Sequence, residues 1–120
     1  MSIADLVKTI SGYKYRLGAE TDFQNGVARA LELHGIAHQR EWDLGRPYGR
    51  IDFFLPESGV GIELKTKGSP GKVLRQLHRY ACCPQIHGLV LVTGCARLAF
   101  IPAELNGKPI VTAALWPGQF

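Results

Sequence analysis

The sequence predicts an α/β (α+β) domain in which a central mixed β-sheet is flanked by helices, with the elements in the order ααβββαββ. Apolar side chains recur at helical spacing in three segments, which indicates helices. Residues 50–65 hold two apolar runs separated by a turn sequence, the pattern of a β-hairpin. The run LVLV at residues 89–92 is typical of a strand that is buried on both faces and parallel to its neighbours. A chain of 120 residues suffices for one core, so we expect a single domain spanning residues 1–120.

The three predicted helices each have recognisable ends. Ser2 is a capping residue for a first helix over residues 3–10. The second helix is predicted over residues 20–34 and is followed by a glycine that stops it. The third begins at Pro70, a residue favoured in the first turn, and is closed before Pro84.

The strands are predicted from short apolar runs bounded by turn residues. The segment 95–109 has no clear pattern beyond one turn of helix near residues 102–105. The predicted strands cover residues 36–44, 50–55, 60–65, 87–93 and 109–116.

Composition narrows the class of protein. The chain is 46% hydrophobic and 20% charged, as is usual for a soluble globular protein, and its net charge of +4 is compatible with an anionic partner. The N-terminus lacks a signal-peptide layout, and no apolar run reaches membrane-spanning length. We therefore expect a cytoplasmic protein with no membrane partner. No glycine-rich nucleotide loop is visible, and we expect no organic cofactor.

The three cysteines do not form a disulfide framework, because their number is odd and two of them are adjacent. A zinc site built from His78, Cys82, Cys83 and His87 would lack the usual Cys-x-x-Cys spacing. The sequence favours buried thiols in a reducing cytoplasm.

The hairpin at residues 50–65 has a register that can be counted from its loop. We take residues 56–59 as a four-residue loop, which is a common hairpin length. Every second side chain before and after this loop is then apolar and shares one face, which we expect to pack on the core. The predicted opposed pairs are Leu55 with Val60, Phe53 with Ile62, and Ile51 with Leu64.

The other face of this hairpin carries charged residues. The same register places Asp52 opposite Glu63, and like charges so placed are destabilising. One interpretation is a solvated face, which ordinarily carries polar residues. The other is a bound hard cation, since Mg²⁺ is held by one or two carboxylates together with water and substrate phosphate. Phe54 on the same face favours the cation, and Lys65 projects beside it.

Three motifs on these elements resemble those of a known family. GRID at residues 49–52, ELK at 63–65 and QLHRY at 76–80 resemble the G-x-x-D, E-x-K and Q-x-x-x-Y motifs of RecB-like nucleases, which belong to the PD-(D/E)XK, or restriction-endonuclease-like, superfamily. Glu20 resembles the acid on the first core helix of that superfamily. Asp52 is preceded by isoleucine instead of proline, a replacement that is widespread in the superfamily. The resemblance covers roughly residues 18–93 and implies a restriction-endonuclease-like core.

The resemblance implies a Mg²⁺-dependent (or Mn²⁺-dependent) nuclease that hydrolyses DNA phosphodiester bonds. Asp52, Glu63 and the main-chain carbonyl of Leu64 would hold the metal, and Lys65 would position or activate the attacking water. Glu20 would bind a second ion or metal-bound water.

Gln76 and Tyr80 would support this site or contact DNA, and their four-residue spacing puts them on one helix face. Ordinary packing is the alternative for both. Helical spacing places Glu20 on the inward side of its helix with Phe23 and Val27, and Gln24, one turn later, is expected to be its supporting partner. The alternative for Glu20 is an acid favoured by the helix dipole.

Basic residues near these motifs suit contacts with phosphate, which position a duplex without reading its sequence. A solvated helix face is the alternative. The candidate nucleic-acid contacts are Arg46, Arg50, Lys67, Lys72, Arg75 and Arg79.

With one domain and no helicase or specificity module, we expect an endonuclease rather than a processive exonuclease, and cutting both strands would be easiest for a homodimer. By analogy with small members of the superfamily, a branched-DNA or junction resolvase would fit the size. Such a protein would work in a bacterial, archaeal or phage-infected cell. The alternative is a catalytically inactive module with the same fold that binds nucleic acid or protein. Such a module usually loses one acid or the lysine, and here all are present.

Overall fold

The computed structural model describes residues 1–115, which fold into an α+β domain with three α-helices and a mixed six-stranded sheet. A 3₁₀ helix over Ala96–Phe100 precedes the last two strands. The helices are α1 (Ile3–Ser11), α2 (Glu20–Leu33) and α3 (Pro70–Ala81). The strands are β1 (Gln39–Asp43), β2 (Arg50–Leu55), β3 (Val60–Lys65), β4 (Gly88–Thr93), β5 (Glu104–Leu105) and β6 (Lys108–Ala114).

The sheet has the strand order β1-β2-β3-β4-β6-β5. The first three strands form an antiparallel meander, whereas β4 runs parallel to both β3 and β6. Every residue of β4 is buried, so the predicted central strand with both faces covered is confirmed.

Two cores cover the two faces of the sheet. One packs α1 and α2 against alternate residues of the central strands, such as Val90 and Val92. The other packs α3 against the intervening residues, such as Leu89 and Leu91. This arrangement leaves the charged end of the β2–β3 hairpin between α2 on one side and α3 on the other.

The predicted helix starts are confirmed by their caps. The Ser2 hydroxyl accepts the Asp5 main-chain N–H at 3.0 Å, and the Asp5 carboxylate accepts the Ser2 N–H in return, which satisfies two otherwise free donors. The Ser69 hydroxyl similarly accepts the Lys72 N–H at the start of α3, with Pro70 in the first turn.

The prediction for residues 95–109 is wrong. The helical turn lies earlier, over Ala96–Phe100, and residues 104–105 instead form β5, which pairs with the start of β6. The observed order therefore has one more strand than ααβββαββ. Asn106 and Gly107 both have positive φ, as the central residues of a two-residue hairpin turn require, and this Asn-Gly signal was not used. The predicted last strand extended to Trp116, which lies outside the described residues.

The cysteines are less buried than predicted. Cys83 is buried, but Cys95 is half-buried and Cys82 is exposed beside His78, because it lies at the end of α3 where the helix surface meets solvent. Among residues 1–115, no helix is both long enough and apolar enough to cross a membrane.

Candidate active site

The β2–β3 hairpin pairs in the register counted from its loop. Phe53 lies opposite Ile62, and Leu55 lies opposite Val60. The main-chain ladder ends at Phe53 and Ile62, although both strands continue. The next position on each strand is an acid, Asp52 on β2 and Glu63 on β3.

Carboxylates replace the main-chain pairing beyond the end of the ladder. The Leu64 N–H donates to Asp52 Oδ2 at 2.8 Å, and the Asp52 N–H donates to Glu63 Oε1 at 3.3 Å. Each acid therefore accepts a hydrogen bond from the strand opposite its own. These crossed bonds hold the two carboxylates next to each other and fix their directions.

The prediction that Ile51 shares a face with Phe53 is wrong. Ile51 packs in the α3 core, whereas Phe53 packs in the α1–α2 core. Strict alternation needs continuous extended pairing, but here the pairing with β3 stops at Phe53 and the pairing with β1 is interrupted at Glu41. On β1, Glu41 takes the left-handed conformation with φ 49°. On β3, Gly61 leaves room for Ile51, whose Cδ1 would lie only 2.4 Å from a Cβ added there.

Glu63 is buried, which rules out the solvated-face interpretation for this acid. Its exposure is 4%, and burial together with the charge of Asp52 raises the pKa of Glu63 to about 8. Asp52 is half-buried, and desolvation raises its pKa as well, against the lowering effect of the Leu64 N–H. Two neighbouring acids that both resist ionisation form a site with a strong preference for added positive charge.

Lys65 supplies one positive charge at this site. Its Nζ lies 3.3 Å from Glu63 Oε2, and the side chain is 26% exposed, so the ammonium group lies where the buried acids meet solvent. One ammonium beside two carboxylates leaves the trio negative when both acids are ionised.

Tyr80 lies next to Glu63 Oε1, whereas Lys65 contacts Oε2, and Gln76 binds Tyr80. The Tyr80 hydroxyl accepts a hydrogen bond from Gln76 Nε2 at 2.8 Å and donates to the Arg50 carbonyl oxygen at 2.7 Å. It also lies 3.3 Å from Glu63 Oε1. Burial and the nearby acids raise the pKa of Tyr80, so the hydroxyl keeps its proton. The predicted shared helix face is confirmed, and it supports the hairpin end from the α3 side.

Glu20 is exposed at the start of α2, so its predicted inward position is wrong. In the first turn of a helix the side chain can leave the core side and remain in water, where the helix dipole favours an acid. Glu20 still borders the site: it lines a cleft of about 180 Å³ with Leu64, Lys65 and Lys67. Its charge also contributes to the raised pKa of Asp52.

Three polar residues next to Asp52 complete the site, and two of them were missed in the sequence. Gln24 Nε2 donates to Glu41 Oε1 at 2.8 Å and to Asp52 Oδ1 at 3.4 Å. Arg40 Nη2 donates to Gln24 Oε1 at 2.7 Å. Gln24 was expected as a supporting partner of Glu20. Glu41 could have been found by counting the β1–β2 hairpin, because the flanking pairs place it level with Asp52.

The side chains of all the predicted nucleic-acid contacts lie at the surface. Arg46 lies in the turn between β1 and β2, Arg50 begins β2, and Lys67 follows β3. Lys72, Arg75 and Arg79 are exposed on α3. These three basic residues of α3 therefore face solvent on the helix that also carries Gln76 and Tyr80.

The acids fit one small hard cation better than a metal held entirely by protein. Within residues 1–115, no group of three or more His, Cys, Asp or Glu side chains is arranged to hold a metal ion. Asp52 and Glu63 form a pair, and Mg²⁺ in substrate-processing sites commonly takes only one or two carboxylates and fills its other positions with water and phosphate. Ionising both acids of this buried pair is costly with Lys65 alone, and such an ion would compensate the second negative charge.

Comparisons with known proteins give no relative for this chain. A scan against protein-family models, a search of curated proteins and a search of solved structures each gave no match.

Proposed function

We propose that this protein is a Mg²⁺- or Mn²⁺-dependent nuclease that hydrolyses phosphodiester bonds in DNA. The observation that carries the proposal is the pair of crossed carboxylates, Asp52 and Glu63, with the Lys65 ammonium 3.3 Å from Glu63. Burial makes both acids costly to ionise without a compensating cation.

Asp52 and Glu63 would hold the ion through the oxygen lone pairs that their hydrogen bonds leave free, together with the main-chain carbonyl of Leu64. When bound, such an ion lowers the pKa of water and neutralises phosphate charge. Glu20, at the edge of the neighbouring cleft, is suited to bind water of the ion's hydration shell or a second ion.

Lys65 has two tasks in this proposal. Its ammonium donates a hydrogen bond to the attacking water and so directs an oxygen lone pair toward phosphorus. It also stabilises the negative charge that develops on the phosphate oxygens, an effect that is large in a partly dehydrated site. Tyr80 holds the main chain of Arg50 and the Glu63 carboxylate in place for these steps.

The fold and the motifs support the proposal. An antiparallel hairpin carrying both acids, then a helix and a strand parallel to the second hairpin strand, is the order expected for a restriction-endonuclease-like core. GRID, ELK and QLHRY resemble motifs of that superfamily, and residues of all three motifs meet at the open end of the hairpin.

DNA as the substrate is supported by exposed cations around this end of the sheet. Arg46 lies in the turn before β2, Arg50 begins β2 and Lys67 follows β3, while Arg75 and Arg79 are exposed on α3 beside Leu105 of β5. Phosphate contacts from these side chains would hold a duplex without sequence selection. A homodimer would provide one site for each strand of a duplex or branched substrate.

The test is cleavage of linear, circular and four-way-junction DNA in Mg²⁺, in Mn²⁺ and in EDTA. We expect cleavage only with metal, and a loss of at least about 100-fold for Lys65→Ala and Asp52→Ala. Lys8→Ala, which removes an exposed lysine of α1, should leave the rate unchanged. Cleavage in EDTA, or full activity in both site variants, would contradict the proposal. DNA binding without cleavage of any substrate would favour an inactive binding module.

A further inference from the structure

The amide of Gln24 lies between positive and negative side chains. Gln24 is 8% exposed, yet it is a polar residue on the core side of α2, so its burial depends on its hydrogen bonds. Its oxygen accepts from Arg40 at 2.7 Å, and its nitrogen donates to Glu41 at 2.8 Å and to Asp52 at 3.4 Å. Both N–H groups of the amide are directed at carboxylates.

The charges around this amide allow only one orientation. With the amide reversed, its oxygen would face Glu41 and Asp52, and its NH₂ group would face the Arg40 guanidinium. Both contacts would be repulsive, because a carboxylate has only acceptors and a guanidinium has only donors. Arg40 is itself held in place by the Asn25 carbonyl oxygen at 2.7 Å and lies 6.0 Å from the centre of the Phe53 ring.

The two oxygens of Asp52 therefore have different partners. Oδ2 accepts the Leu64 N–H at 2.8 Å, and Oδ1 accepts from Gln24 at 3.4 Å. The first bond ties the carboxylate to β3, and the second, which is longer and weaker, restrains its rotation about the bond to Cβ. Without the second bond, this rotation would be limited by one contact only, while the neighbouring charge of Glu41 would remain.

We infer that Gln24 is a positioning residue that orients the Asp52 carboxylate for divalent-cation binding, with Arg40 and Glu41 fixing the direction of its amide. The inference rests on the proposed function and adds a residue outside the three motifs. Residues that hydrogen-bond to a metal ligand commonly contribute 10- to 100-fold to metal affinity, and we expect an effect in that range, about 10-fold or more.

The test measures Mn²⁺ binding to the DNA-free protein, with free Mn²⁺ followed by electron paramagnetic resonance. Gln24→Met fills the same space without donating a hydrogen bond, and Gln24→Asn keeps the amide but shortens its reach. Both variants should bind Mn²⁺ at least about 10-fold more weakly than the wild type. The Mn²⁺ concentration needed for half-maximal DNA cleavage should rise in parallel.

Gln39→Met is the matched control, because it makes the same substitution at an exposed residue of β1 that lies outside this network. It should bind Mn²⁺ with wild-type affinity. Thermal melting in EDTA reports the fold of each variant separately from its affinity for the ion.

The failures can be told apart. If the wild type binds Mn²⁺ and cleaves DNA, and a folded Gln24→Met or Gln24→Asn variant keeps the wild-type affinity, the inference is wrong while the proposed function stands. An equal loss in Gln39→Met would also overturn it. If the wild type neither binds Mn²⁺ nor cleaves DNA, the proposed function fails, and the inference fails with it.

Discussion

The two ends of the β2–β3 hairpin consist of the same two strands, but different hydrogen bonds join the strands at each end. Toward the loop, Phe53 to Leu55 pair with Val60 to Ile62 through the main chain, and their side chains are buried in the two cores. At the open end the main-chain pairing stops, and the carboxylates of Asp52 and Glu63 accept the N–H groups instead. The loop end thus gains stability from apolar burial, whereas the open end places charge inside the fold.

The open end satisfies its hydrogen bonds, but it has too little positive charge for both acids to ionise. Within the described part of the chain, no buried side-chain nitrogen or oxygen lacks a hydrogen-bond partner. The two acids nevertheless share a single nearby ammonium, that of Lys65. A site that is complete in hydrogen bonds and short of positive charge is the arrangement that a cation would stabilise.

The largest difference between the two ends, in how stability depends on pH, is expected when Glu63→Gln removes the ionisable carboxyl group. Folded Glu63 has a pKa of about 8 against an ordinary value of 4.5, so between these pH values the folded protein binds more protons than the unfolded chain. Without metal, wild-type stability should therefore fall as the pH rises through this range. Glu63→Gln should flatten that slope, whose limit for one proton is about 1.4 kcal/mol per pH unit, and should reduce cleavage at least about 100-fold.

Urea unfolding in EDTA between pH 5 and pH 8 measures this difference, and added Mg²⁺ should restore more stability to the wild type than to the variant. Glu57→Gln, at the exposed loop end of the same hairpin, is the matched control and should leave the slope unchanged. A slope that is the same in wild type and Glu63→Gln would show that the fold does not raise the pKa of Glu63.

A smaller effect is expected from Gly61→Ala, which tests the packing that turns Ile51 away from the face of Phe53. The added Cβ would lie 2.4 Å from Ile51 Cδ1, and overpacking of this kind costs about 1–3 kcal/mol of unfolding free energy. Ile51→Val in the same chain should recover part of the loss, as coupled neighbours do. Urea unfolding of the single and double variants measures both.

Gly18→Ala is the control for the change from glycine, since a Cβ there would have no atom within 4 Å. It should alter the stability by no more than about 0.5 kcal/mol. If Gly61→Ala were equally neutral, Ile51 would not depend on the space at Gly61.

Sequence reasoning succeeded where one local rule decides the outcome. The loop length fixed the pairing of Phe53 with Ile62, and the continuous apolar run fixed β4 as a buried strand. The spacing of Gln76 and Tyr80 placed them on one face of α3, where their side chains hydrogen-bond.

It failed where the outcome depends on two strands at once, and in the first turn of a helix. Ile51 was assigned to the wrong face because alternation assumes a ladder that continues, and the acids end that ladder. Glu20 was assigned inward because helical spacing takes no account of the freedom of a first turn. Glu41 was missed because the register was counted for only one of the two hairpins. Its hydrogen bond with Gln24 also depends on a left-handed backbone conformation that no local motif predicts.

The smallest expected effect comes from comparing the two buried tyrosines, one at the open end and one in the α1–α2 core. Tyr80 donates to the Arg50 carbonyl at 2.7 Å, and Tyr15 donates to the Ile10 carbonyl at 2.6 Å. Replacing either by phenylalanine should cost about 1 kcal/mol, the usual net contribution of such a bond. Only the Tyr80 hydroxyl also lies beside Glu63, at 3.3 Å.

The two tyrosines should therefore differ in how they couple to the site. Urea unfolding at neutral pH of Tyr80→Phe, Glu63→Gln and the double variant should give a coupling energy of about 0.5 kcal/mol or more, because the two groups touch. The same cycle with Tyr15→Phe should be additive, since Tyr15 packs in the other core. Equal coupling energies in both cycles would mean that the Tyr80 hydroxyl has no specific interaction with Glu63. Coupling confined to Tyr80 would mean that α3 holds the Glu63 carboxylate through this one hydroxyl.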